Sequence, residues 1–130
     1  MTITGQNKGT GTGVYVAGTE GMMMTLDDVR ISNVAMGVSV EKAKSLMMTG
    51  GSVTDFADYG VDVGENVKSA ELKGVEIEGK NSGTGTGVYA KGGDVTLEKV
   101  EIKGVETGVY AEKGIFKMDG GSVTEFTEKG

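Results

Sequence analysis

Two kinds of cluster in this chain have the residue types that chemistry uses. Asp27-Asp28 and Asp55, Asp58 and Asp62 gather carboxylates, and Gly9-x-Gly11-x-Gly13 alternates glycine with single residues. Close carboxylates suit a hard cation such as calcium, and a facing pair suits glycoside hydrolysis. An alternating glycine loop suits phosphate when it opens a helix whose N-terminus faces the anion. Here it opens instead onto Gly13-Val14-Tyr15-Val16, a strand composition. The chain holds no His and no Cys, so the usual nucleophile–base arrangements cannot be assembled. The sequence therefore predicts no enzyme, no catalytic residues, no metal site and no cofactor.

Surface is what remains. Tyr15, Tyr89 and Tyr110 each follow a Gly-Val pair. Tyrosine offers a large contact area at low entropic cost, so these three are the candidate receptor-binding residues. A cross-strand aromatic ladder that only stabilises a sheet would use the same residues. Met22-Met23-Met24 and Leu46-Met47-Met48 each set a methionine outside the apolar pattern as well as within it. Such side chains adapt to partners, or simply fill space.

The elements that must position these side chains follow from a repeat. Gly-Val recurs at Gly13, Gly37, Gly60, Gly87 and Gly108, and Gly130 stands where a sixth copy would begin, at spacings of 24, 23, 27, 21 and 22 residues. Apolar residues then fall into pairs spaced by two, the period of a strand. The first pairs are Val14/Val16, Val38/Val40, Val61/Val63, Val88/Ala90 and Val109/Ala111. The second are Met24/Leu26, Leu46/Met48, Ala70/Leu72, Val95/Leu97 and Phe116/Met118. Ile31, Val53, Ile77, Ile102 and Val123 follow, and three residues on come Val34, Phe56, Val105 and Phe126, with Lys80 as the departure. Turn residues separate the pairs.

Three short strands per unit predict an all-β fold: a single-stranded parallel β-helix, or β-solenoid, of about five coils of 21–27 residues each. A right-handed crossover is the default for parallel strands. A leucine-rich repeat of similar length would need a Leu-x-Leu and Asn ladder, whereas these columns mix Val, Ile, Leu, Met and Phe. In the predicted stack the tyrosines share one outward column, with Ser39 and Asp62 in the coils between Tyr15 and Tyr89. Asp27-Asp28 aligns with Thr49-Gly50, Lys73-Gly74, Glu98-Lys99 and Asp119-Gly120, the mixed surface of a solvated face.

A larger period overlies the coil. GGSVTDF at 50–56 returns as GGSVTEF at 120–126, and GTGTGVY at 9–15 returns at 83–89. This reads as one corner of the coil, met twice three coils apart. Both ends fall within a coil and neither has the polar face of a cap, so residues 1–130 are expected to be one β-helix segment of a longer solenoid. Self-association through the open coil ends is expected.

Charge bounds the partners. Parallel β-helices often cleave acidic polysaccharides, using a cationic groove. This chain has net charge −6 and one arginine, Arg30, so it would repel a polyanion. The same sign argues against nucleic acid. The 24 glycines come without proline, which excludes collagen. No apolar run reaches the roughly 20 residues of a membrane helix.

The units GVYV and GVYA, LMMTGGSVTDF and SAELKGVEI resemble the passenger domains of Bartonella autotransporters, including the Bartonella angiogenic factor group, over essentially the whole chain. The resemblance implies a right-handed β-helical passenger that is secreted or held at the bacterial cell surface. It implies a pro-angiogenic, growth-factor-like role on endothelial cells. The partner so implied is a host cell-surface receptor, such as a vascular endothelial growth factor receptor. A structural stalk or adhesin segment without signalling is the alternative. The resemblance transfers no site residues.

Overall fold

Hydrogen bonding between coils, not within them, organises this molecule. The computed structural model describes residues 2–5, 11–19, 21–79, 85–112, 115–123 and 126–129, and only the backbone of 123 and 126–129. The strands are β1 (Thr2–Thr4), β2 (Thr12–Ala17), β3 (Met23–Asp27), β4 (Arg30–Thr49), β5 (Ser52–Lys73), β6 (Glu76–Gly79) and β7 (Thr86–Ala90). They continue with β8 (Asp94–Glu98), β9 (Glu101–Lys103), β10 (Val105–Ala111), β11 (Phe116–Asp119), β12 (Ser122–Val123) and β13 (Phe126–Lys129). All pair in parallel within one sheet. Among the described residues there is no helix.

The register gives a parallel β-solenoid. Ile31, Val53, Ile77 and Ile102 stack one above another, and the backbone register carries on to Val123. About four full turns are thus closed, with β1 pairing onto β4 from a turn before them. A second column runs Val14, Val38, Val61, Val88 and Val109. Their interior members, Val38, Val61 and Val88 with Val53, Ile77 and Ile102, have no measurable exposure. Val14 and Val109, nearer the ends, are partly buried against the same core. The inward columns of the sequence reading are therefore found, with two exceptions: Ala111, which closes the last full strand with no described coil covering it, is exposed, and the Val123 and Phe126 side chains lie outside the described residues.

Two features differ from the expectation. The three short strands of a coil fuse in the middle of the stack, where β4 has 20 residues and β5 has 22. These coils have a neighbour on both sides, so bends are absorbed at irregularities such as Val34/Met36 and Val40/Lys42 without breaking the ladder. The second difference concerns the column of Val34 and Phe56. It continues at Gly79, not at Lys80, which lies outside the described residues. Asn33, Asp55 and Gly104 provide a left-handed bulge residue in their coils, at φ of 60°, 51° and 69°, and the turn of β6 omits it. Phe56, fully buried, thus stacks against a residue with no side chain.

The repeated Gly-Val has a steric cause. A Cβ on Gly60 would lie 2.6 Å from the Gly87 carbonyl oxygen and 2.7 Å from Ile77 Cγ2. One on Gly87 would meet the Gly108 oxygen at 2.6 Å and Ile102 Cγ2 at 2.5 Å. The glycine column lets the wall close directly onto the Ile/Val column across the core. Only part of GTGTGVY is a corner: Gly11 and Gly85 bend with φ of 80° and 88°, while Gly13 and Gly87 lie inside β2 and β7. Gly9, Gly83 and Thr84 lie outside the described residues.

A second corner recurs once per turn. Asp28, Gly50, Gly74, Lys99 and Gly120 all adopt left-handed backbone, at φ of 53°, 67°, 62°, 55° and 68°. Each amide but the last donates to the next coil: Asp28 to Thr49 O, Gly50 to Lys73 O, Gly74 to Glu98 O and Lys99 to Asp119 O, at 2.8–2.9 Å.

Candidate functional site

The tyrosine column is set by the first strand of each turn. Tyr15, Ser39, Asp62, Tyr89 and Tyr110 are in register on β2, β4, β5, β7 and β10. Each follows an inward valine, so the pleat turns it outward. Tyr89 and Tyr110 stack with centroids 5.2 Å apart and an interplanar angle of 19°. Tyr59, which the sequence analysis did not single out, meets the other side of Tyr89 edge-on at 5.3 Å and 81°. It stands two residues before Val61 and outside the Gly-Val-Tyr pattern, so motif matching passes over it.

Polar groups fix these rings from their rims. The Tyr89 hydroxyl donates to Glu112 Oε2 at 3.2 Å, and Lys91 Nζ stands 5.6 Å from the centre of the same ring. Partial burial raises the Tyr89 phenol above its ordinary value, and the bonded Glu112 carboxylate adds to this. Tyr15 is apart from this cluster. Its hydroxyl donates to Glu41, and that carboxylate raises the phenol in turn. The structure brings together two of the three candidate tyrosines and leaves the third on the far side of two coils. Tyr15 and Tyr110 are 58% and 40% exposed, so both present ring surface to solvent.

Where the column lacks rings, a cleft forms. Tyr15, Ser39, Glu41, Asp62, Glu65, Asn66 and Lys91 line a space of about 380 Å³. Asp62 is half-buried on its floor, and its Oδ1 has no hydrogen-bond partner. Desolvation raises its carboxyl pKa above the ordinary value, and the Lys91 charge and the Ser39 hydroxyl offset this only in part. The strand period places these residues outward but does not display the cleft. It exists because Ser39 and Asp62 are short where tyrosines flank them.

The other sequence candidates separate. Asp28 is a corner residue and Asp55 a bulge residue, both in left-handed backbone, while Asp27 and Asp58 are exposed. Among the described residues no three His, Cys, Asp or Glu side chains are grouped to hold a metal ion. The long apolar helix of a membrane span is likewise not found among them. Met23 and Met47 are exposed, but they are not in register, since Met23 pairs with Ser45 and Met47 with Thr25. The chain matches no protein-family model, no curated protein and no solved structure with significance.

Proposed function

We propose that this chain is a segment of an exported, receptor-binding solenoid that docks a host cell-surface protein through its tyrosine face. The observation that carries this reading is the cluster of Tyr59, Tyr89 and Tyr110, three contacting rings held on one outer face of a rigid sheet. Binding energy concentrates in a few large aromatic anchors, and pre-ordered rings lose little entropy on docking. The sequence resemblance supports a secreted or surface-held passenger with pro-angiogenic signalling on endothelial cells, and a vascular endothelial growth factor receptor as the class of partner. The net charge of −6 favours a partner with a basic patch, whose effect falls mainly on association rate and weakens with salt.

The test is binding of the purified chain and of Tyr89→Ser/Tyr110→Ser to receptor ectodomain and to endothelial cells. Serine already stands in this column at Ser39, so the double variant is expected to fold. The proposal expects its binding to fall at least tenfold, and equal binding by a folded double variant refutes it. The continuous ladders of β4 and β5 favour a second reading, a stiff stalk or adhesin segment without signalling. That reading wins if the parent chain binds no receptor.

A further inference from the structure

Quite apart from docking, the stacked rings have the geometry of a covalent reaction. We propose that Tyr89 and Tyr110 form an oxidative coupling site. A haem peroxidase consuming hydrogen peroxide removes one electron from each ring, and a carbon–carbon bond between them then rivets two adjacent turns.

Composition directs the oxidation to tyrosine. The chain has no Trp and no Cys, so a phenol is its side chain most readily oxidised by one electron. The eight methionines react differently, by taking up an oxygen atom. Of the four tyrosines, Tyr59, Tyr89 and Tyr110 share one ring cluster. Tyr110 is an exposed residue, so an oxidant reaches the stack from solvent. The Tyr89 hydroxyl donates to Glu112 Oε2 at 3.2 Å, and that carboxylate takes the phenolic proton as the electron leaves.

Register selects the pair. A tyrosyl radical carries its unpaired electron on the oxygen and on the ortho and para carbons, and the side chain blocks the para position. Coupling therefore joins ortho carbon to ortho carbon. β7 and β10 hold Tyr89 beside Tyr110 on neighbouring turns, with centroids 5.2 Å apart and planes 19° apart, so the two ring edges run side by side. Tyr59 meets Tyr89 at 81°, which sets an edge against a face. Tyr15 has the same phenol–carboxylate bond, to Glu41, but its neighbour in the column is Ser39. Tyr89 stands three strand steps from Tyr15, about 14 Å at the usual spacing. Each coupled ring gives up one electron and its phenolic proton. The hydrogen on each joined carbon then moves to its own phenol oxygen. The product lacks two hydrogen atoms, and the peroxide leaves as two waters. The link ties β10, whose end at Ala111 is exposed, to the better covered β7.

The test treats the dilute purified chain with a haem peroxidase and hydrogen peroxide, and follows dityrosine fluorescence, intact mass and peptide maps. A monomer lighter by two hydrogen atoms is expected, with one pair of fragments joined through Tyr89 and Tyr110. Tyr89→Phe and Tyr110→Phe keep a ring but remove the phenol, and each should lose this product entirely. Tyr59→Phe and Tyr15→Phe should retain it. Glu112→Gln should lower the initial rate, and an unchanged rate strikes out the carboxylate as proton acceptor. The coupled chain should exchange the amide hydrogens of β10 more slowly than the parent, because a cross-link restrains local opening. Unchanged exchange overturns the rivet. The coupling site itself is overturned by no dityrosine, by coupling confined to covalent dimers, or by a coupled monomer that survives Tyr89→Phe or Tyr110→Phe.

Discussion

Tyr89 and Tyr110 are 21 residues apart in the chain, yet their rings stack 5.2 Å apart at 19° because β7 and β10 are in register on adjacent turns. The stack is a packed pair that also forms the proposed docking surface, and the two roles respond differently to substitution. A double-mutant cycle of Tyr89→Ser and Tyr110→Ser, read by urea unfolding, is expected to give a coupling of about 0.5–1.5 kcal/mol, the usual worth of an aromatic pair. A coupling near zero would mean that the rings only lie near one another.

The glycine column makes a contrasting prediction. Gly60→Ala places a methyl 2.6 Å from the Gly87 oxygen and 2.7 Å from Ile77 Cγ2, where backbone must move. A loss of about 1–3 kcal/mol is expected, as for overpacking elsewhere. Gly21→Ala meets nothing within 4 Å and should change stability by less than about 0.5 kcal/mol. Thermal unfolding of both variants checks the difference.

Lys99 stands in the left-handed corner that Gly50, Gly74 and Gly120 fill in other turns. That backbone disfavours a lysine by about 1–2 kcal/mol, against roughly 0.5–1 kcal/mol of extra chain entropy for glycine. Lys99→Gly should therefore raise stability by about 0.5–1 kcal/mol. A lower urea midpoint at unchanged slope would show that the Lys99 side chain contributes more than its backbone costs.

Asp62 gives the pH dependence. Its pKa in the folded chain lies above its ordinary value of 3.8, so the folded state holds the proton more tightly than the unfolded one. The stabilising contribution is then fully present below that ordinary value and is lost as pH rises through the folded pKa. Asp62→Asn should be more stable than the parent at neutral pH, by no more than about 1 kcal/mol given solvent screening. The gap should close in acid. Thermal unfolding across that range checks the sign, and a variant less stable at neutral pH would contradict it.

Much of the interior was legible in the letters. Val38, Val61 and Val88, and Ile31, Val53 and Ile77, recur at a strand period within a coil period, and only an inward position tolerates so little variety. The glycines were harder. Gly13 and Gly87 look like turn residues by composition, but what excludes a side chain there is a carbonyl and an isoleucine from other turns, contacts no local pattern displays. The slip from Lys80 to Gly79 has a similar origin, since a missing bulge residue shifts the register without changing composition. At the candidate site, Tyr89 and Tyr110 could be placed by arithmetic. The cleft at Asp62 could not, because a cavity is defined by side chains that are short, and Ser39 and Asp62 attract attention only once their neighbours are seen to be long.

The glycine column also separates what the molecule is from what it shows. Because the wall closes on bare backbone at Gly37, Gly60 and Gly87, each turn fixes its own path, and the next outward position but one carries no steric duty. Tyrosine, serine and aspartate all occupy that position in successive turns without disturbing the stack. Such a scaffold works like a rack of interchangeable labels: a row of outward residues can be rewritten one turn at a time, changing the exposed surface while the frame stays the same.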